Sequence, residues 1–138
     1  MRQLSSYATC FSLFLMLVAC ATTPAQLDRV LLDRVLVQNA TDSDITDVKV
    51  RHEPTNKFGA VNTILSHKAL DIGFPEQPML AIRAVVSWRD GDGREWTETV
   101  ALPQDHSAAK SGRPMSLIYT IYPSGQITVA LQPGAASQ

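Results

Sequence analysis

Apolar residues recur at every second position through much of this chain, the periodicity of half-buried strands. Met115 to Tyr122 is the clearest case: Met115, Leu117, Tyr119 and Ile121 share one face, with Ser116, Ile118, Thr120 and Tyr122 on the other. Gln126 to Leu131 alternates cleanly, with Ile127, Val129 and Leu131 inward. Met79 to Trp88 puts Leu80, Ile82, Ala84, Val86 and Trp88 on one face and a mixed set on the other. That pattern predicts a central strand, buried on one side and partly covered on the other. Trp96 to Leu102 alternates imperfectly, because Glu98 falls on the face of Trp96, Val100 and Leu102. Glu98 is therefore expected at a sheet edge or near a bulge.

The first half is patterned less clearly. Leu32 to Gln38 and Ile45 to His52 read as strands around the turn-rich stretch from Asn39 to Asp44. In the second of these, Val48 and Val50 face in while Asp47, Lys49 and Arg51 face out. Ala60 to Ser66 and Ala69 to Phe74 are shorter candidates. The total is about eight strands at spacings near 8–12 residues, which predicts an all-β domain. A single small β-sandwich of the immunoglobulin-like kind is the expected architecture, with a small β-barrel as the alternative. The repeat LDRV at 27–30 and 32–35 has period five, matching neither helix nor strand, and reads as coincidence; a short helix before the first strand is the alternative.

Two Asp-Gly pairs between strong strands mark a hairpin over Arg89 to Glu95. If the turn centres on Asp92, Arg89 lies opposite Glu95 and Trp88 opposite Trp96, giving a charge pair on one face and an aromatic pair on the other.

The N-terminus has a different organisation. Arg2 is followed by a short apolar run, Phe11 to Ala19, interrupted only by Ser12. A run of this length falls short of the roughly 20 apolar residues that span a bilayer and fits a cleaved signal peptide. Leu17-Val18-Ala19-Cys20 resembles the lipobox of bacterial lipoproteins at all four positions. The resemblance implies cleavage between Ala19 and Cys20, diacylglyceryl transfer to the Cys20 thiol and acylation of the new amine. The expected organisation is a signal peptide over 1–19, lipidated Cys20 and a tether over 20–28, the sandwich over 29–132 and a disordered tail over 133–138. Ala21 stands where an Asp would mark inner-membrane retention, so the expected location is the outer membrane, facing the periplasm.

Composition narrows the partners. Twelve basic and thirteen acidic residues leave a net charge of -1, with no electrostatic footprint for nucleic acid and no polybasic run for anionic lipid. The two cysteines are Cys10, in the segment expected to be removed, and Cys20, expected to be acylated. The mature domain would then depend on its hydrophobic core rather than on disulfides.

Candidate chemistry is sparse. Asp90, Asp92, Gly93 and Glu95 have the spacing that opens a calcium loop, but their flanks are strands and the remaining ligands are missing. Turn formation explains the Asp-Gly pairs without a metal, and the acidic turn Asp42, Asp44, Asp47 adds no stronger case. His52, His67 and His106 stand apart from one another and read as isolated surface residues. Asp105, His106 and Ser107 are adjacent, which is not how a catalytic triad is assembled. No cofactor and no catalytic set are expected. Two longer loops, His52 to Ala60 and Pro103 to Pro114, could carry binding groups; Phe58 is expected to be buried within the first, and exposed only if that loop is open.

These readings imply a non-catalytic, lipid-anchored interaction or assembly module, joined to the membrane through Cys20 and to an envelope protein partner. A small-ligand binder for sugar, peptide or metal ion is the alternative, with a small hydrolase behind it.

Overall fold

The computed structural model describes residues 29–134. Eight strands follow in order: β1 (Leu32–Asn39), β2 (Ile45–Glu53), β3 (Phe58–Ile64), β4 (Ala69–Asp71), β5 (Arg83–Arg89), β6 (Glu95–Ala101), β7 (Met115–Ile121) and β8 (Ile127–Pro133). One short helix, α1 (His106–Lys110), lies between β6 and β7. The strands form two four-stranded sheets, ordered β4-β1-β7-β8 and β3-β2-β5-β6. They pack as a sandwich, not as the closed barrel that stood as the alternative. All pairings are antiparallel except β1 with β7, the first strand lying parallel to the seventh.

The core lies between the sheets. Leu32, Val35, Val37, Leu117, Tyr119 and Ile121 meet Ile45, Val48, Val50, Ala84, Val86 and Trp88, all essentially inaccessible. Each fully buried aliphatic side chain of this kind contributes about 1.5–3 kcal/mol relative to exposure. The β7 alternation falls as its sequence predicts. The β2 alternation holds from Val48 to His52, but Ile45 is buried too, so the phase slips by one residue. The β2–β5 register breaks between Thr46 and Lys49, where Asp47 adopts φ 52°. Asp tolerates this left-handed conformation better than most residues, so it can occupy the extra position of a bulge.

Met79 to Trp88 departs from its expected pattern. The strand begins only at Arg83; Met79 and Ala81 are buried, whereas Leu80 and Ile82 are exposed. The chain changes sheets here. After β4 it runs as a strap along the edge of β1, with Ile72 N–H donating to the Val35 carbonyl, Glu76 pairing with Leu32, and Met79 N–H donating to the Val30 carbonyl. It then crosses to β5, where Ile82 N–H donates to the Glu53 carbonyl. One alternation cannot persist through a change of partner, so the inward phase resets between Ala81 and Ala84. For the same reason the strand expected to reach Phe74 ends at Asp71.

The sandwich is closed along its flanks. The β6 and β8 edges approach each other on one side. On the other, the strap packs against β3 at Gly59, where a Cβ would collide with the Ile72 carbonyl and the Phe74 ring. The β2–β3 connection is tighter than the expected His52–Ala60 loop, because β2 runs to Glu53 and β3 starts at Phe58. Phe58 itself is 68% exposed, contrary to the buried position expected of it: it pairs with Arg51, on the outer face of the sheet. Chain pairing in β8 extends through Pro133, one residue into the expected tail.

The candidate functional site is a buried carboxylate-imidazole-phenol chain

His52 is not a surface residue. It follows Val48 and Val50 in the inward phase of β2 and is fully buried. Its Nε2 lies 2.8 Å from the hydroxyl of Tyr119, which points inward from β7 in the opposite sheet. Its Nδ1 faces Glu76 Oε2 at 3.3 Å, in an orientation short of a well-formed hydrogen bond. Glu76 is 1% exposed and is placed by the strap through its backbone pairing with Leu32. The Thr55 hydroxyl donates to Glu76 Oε1 at 2.7 Å and closes the outer end of the chain. The edge of Phe74 packs against the imidazole, with ring centroids 4.6 Å apart.

Burial sets the electrostatics. Removal from water lowers the His52 pKa, an effect partly opposed by the Glu76 carboxylate beside it. Burial, reinforced by the nearby Glu76 charge, pushes the Tyr119 hydroxyl well above its ordinary range. Tyr119 therefore keeps its proton, and the Glu76 carboxylate facing Nδ1 favours the neutral His52 tautomer in which Nδ1 carries the proton and Nε2 accepts from the Tyr119 hydroxyl. The connectivity resembles that of a catalytic triad, but its terminal hydroxyl is a buried phenol that resists ionisation, and Thr55 sits at the carboxylate end. What the arrangement does is join the two sheets and the strap through polar contacts within a largely apolar core.

The other candidates are placed separately. The hairpin has the register in which Trp88 faces Trp96 and Arg89 faces Glu95. The two indoles stack at 5.9 Å with 5° between planes, and Arg94 lies over Trp96 at 4.2 Å. Asp90 accepts from the backbone N–H groups of Asp92 and Arg94 and from Trp96 Nε1. The Trp96 bond is the largest cause holding the Asp90 carboxyl below its usual range. Glu95 pairs with Arg89 at 2.8 Å. Asp90 and Glu95 are thus engaged in building the hairpin, and among the described residues no three metal-ligating side chains come together. Glu98 lies exposed on β6, an edge strand of its sheet.

Asp105 is the N-cap of α1, accepting from Ser107 N–H and Ala108 N–H and from the Ser107 hydroxyl. His67 is exposed beside Asp42 at 3.0 Å. Ala19 and Cys20 lie outside the described residues.

An open depression of about 450 Å³ on the outer face of the second sheet is lined by Asp47, Lys49, Arg89, Glu95 and Trp96, among others. Arg89 is already paired there with both Asp47 and Glu95. Sequence reasoning missed the buried chain, although its signal was present in part: His52 continues the inward phase of Val48 and Val50, and Tyr119 was placed inward. Nothing local marks Glu76, which arrives through the strap.

No protein-family model matches the chain, and comparison with curated proteins finds no match. Among solved structures, an NMR structure of a protein from Eubacterium rectale is similar with a TM-score of 0.50 at 16% identity, covering 78% of this chain and 93% of that one. At that identity the likeness shows a shared fold alone.

Proposed function

We propose that this chain is a lipid-anchored, periplasm-facing lipoprotein of the outer membrane that acts as a non-catalytic interaction or assembly module. The observation that carries the reading is the lipobox Leu17-Val18-Ala19-Cys20, placed shortly before a folded sandwich. The interior supports it: His52, Glu76 and Tyr119 are each at most 1% exposed, so the buried chain is out of reach of a ligand at the surface.

A small-ligand reading has the depression around Lys49 and Trp96 in its favour, but Arg89 there is already paired with both Asp47 and Glu95. A hydrolase would need a nucleophile in contact with substrate, which Tyr119 at 0% exposure does not provide.

Metabolic labelling with radioactive palmitate, followed by membrane fractionation, tests the anchor. Incorporation into the native chain, loss of label in Cys20→Ala and release of that variant from the outer-membrane fraction are the expected results. In-cell crosslinking and mass spectrometry then test the module reading. One dominant envelope protein, weakened by Cys20→Ala, supports it; an unlabelled, freely soluble native chain overturns the anchor.

A further inference from the structure

The two ends of the sandwich differ in charge. At the end remote from Arg29, connections 40–44, 65–68 and 90–94 carry Asp42, Asp44, Asp90 and Asp92 against Lys68 and Arg94. The end where the described chain begins is assembled from residues 29–31, the turn 54–57, the strap, and the segment 102–114. These hold Arg29, Lys57, Lys110 and Arg113 against Asp105 and the buried Glu76. The sequence contains no such cluster; folding assembles it from separate connections.

Both ends expose large apolar side chains, Leu65 and Tyr122 at the acidic end and Leu80 at 45% and Ile82 at 58% at this one, so charge is what separates them. The backbone around Leu80 and Ile82 is held in place: Met79 N–H donates to Val30, Ile82 N–H to Glu53, and Leu102 N–H to Ile82. A fixed apolar pair at the end whose connections carry these cations matches the chemistry of an interfacial membrane contact, in which apolar groups enter the headgroup layer and Lys or Arg face anionic lipid.

We propose that this end of the sandwich rests on the anionic bilayer that holds the acyl chains of Cys20, with Leu80 and Ile82 in the headgroup layer and Lys57, Lys110 and Arg113 facing lipid phosphates. The proposal rests on the anchor reading. The described chain begins at this end with Arg29, so the connection to Cys20 attaches here rather than beside the acidic loops. The acidic loops then point away from the bilayer.

The test uses lipidated protein purified from membranes and reconstituted in vesicles of phosphatidylethanolamine and phosphatidylglycerol. Ile82→Cys carries an environment-sensitive NBD fluorophore, and Ser124→Cys, at the opposite end, carries the same label as control. The expected result is a blue-shifted emission and a severalfold rise in intensity at 82, with neither at 124. Restoring charge repulsion through Lys57→Glu, Lys110→Glu and Arg113→Glu together should reduce the difference severalfold.

Equal, solvent-like emission at both positions overturns the docking face. A shift seen only in native membranes, and not in pure lipid, assigns the face to a protein partner and also overturns it. Failure of the anchor is read separately, as the absence of lipid mass on Cys20. In that event the mature Cys20→Ala chain, held by an N-terminal histidine tag on nickel-chelating vesicles of the same lipids, gives the same fluorescence readout on the docking face alone.

Discussion

His52 of one sheet and Tyr119 of the other meet at 2.8 Å between the two sheets, one of the polar contacts that cross a largely apolar core. Buried polar atoms that lose a partner retain their desolvation penalty, so this pair matters more when broken than when made. Tyr119→Phe should destabilise the domain by about 1–3 kcal/mol, because Nε2 of His52 is left without its donor. Urea unfolding at neutral pH checks this. The Tyr119→Phe/His52→Phe double variant should lose less than the sum of the two single changes, since they remove one shared contact; additive losses would show that the pair is not coupled.

The same burial gives a pH dependence. The His52 pKa is lowered in the folded state, chiefly by desolvation, from a value near 6.5. The unfolded chain therefore binds more protons than the folded one as pH falls below about 6.5, and stability decreases with it. The contribution is complete above that pH and is lost as pH falls toward the lowered folded value. Denaturation midpoints measured from pH 7.5 to 5 should decline in the native chain and decline less in His52→Phe. Identical slopes would assign the acid sensitivity to other groups.

Gly59→Ala tests how closely the strap is seated on β3. The added methyl would meet the Ile72 backbone carbonyl and the buried Phe74 ring, which leaves little room to yield. A destabilisation of about 1–3 kcal/mol is expected, as for other overpacked interiors. Loss of Phe74 packing would also alter the environment of His52, so the His52 ring resonances in NMR should move.

Asp90 is expected to act as the organiser of the hairpin rather than as a metal ligand. Asp90→Ala removes the acceptor of two backbone N–H groups and of the Trp96 indole, and should lower the melting temperature and broaden the near-ultraviolet signal of the stacked Trp88–Trp96 pair. Calcium at millimolar concentration should leave the native melting temperature unchanged. A clear upward shift, lost in Asp90→Ala, would restore the calcium reading.

Strands that keep the same partners along their length were readable residue by residue: β7, β8 and the second half of β2; the hairpin takes the Asp92-centred register, one of the two its Asp-Gly pairs allow. The misreadings fall where the backbone changes its relation to the sheets. Asp47 inserts an extra residue that no alternation rule can count, and Leu80 and Ile82 look inward only if β5 is extended back across the strap. The buried chain was half legible, since His52 and Tyr119 both lie in inward phases. Glu76 was not, because its position comes from long-range pairing with Leu32 and not from any neighbour in sequence. The charged ends escaped notice for a similar reason, since a net charge of -1 is silent about how the loops gather.

The parallel pairing of β1 with β7 governs the order in which this domain can become complete. The first strand finds its central neighbour only after nearly the whole domain has emerged, since Leu32 aligns with Met115. Pairings between distant parts of a chain slow folding, because loop entropy is lost before the contact is gained. Until β7 arrives, one edge of β1 is open and the Tyr119 hydroxyl has not reached His52, so nascent or truncated chains ending before Met115 form the natural clients of holding chaperones and proteases.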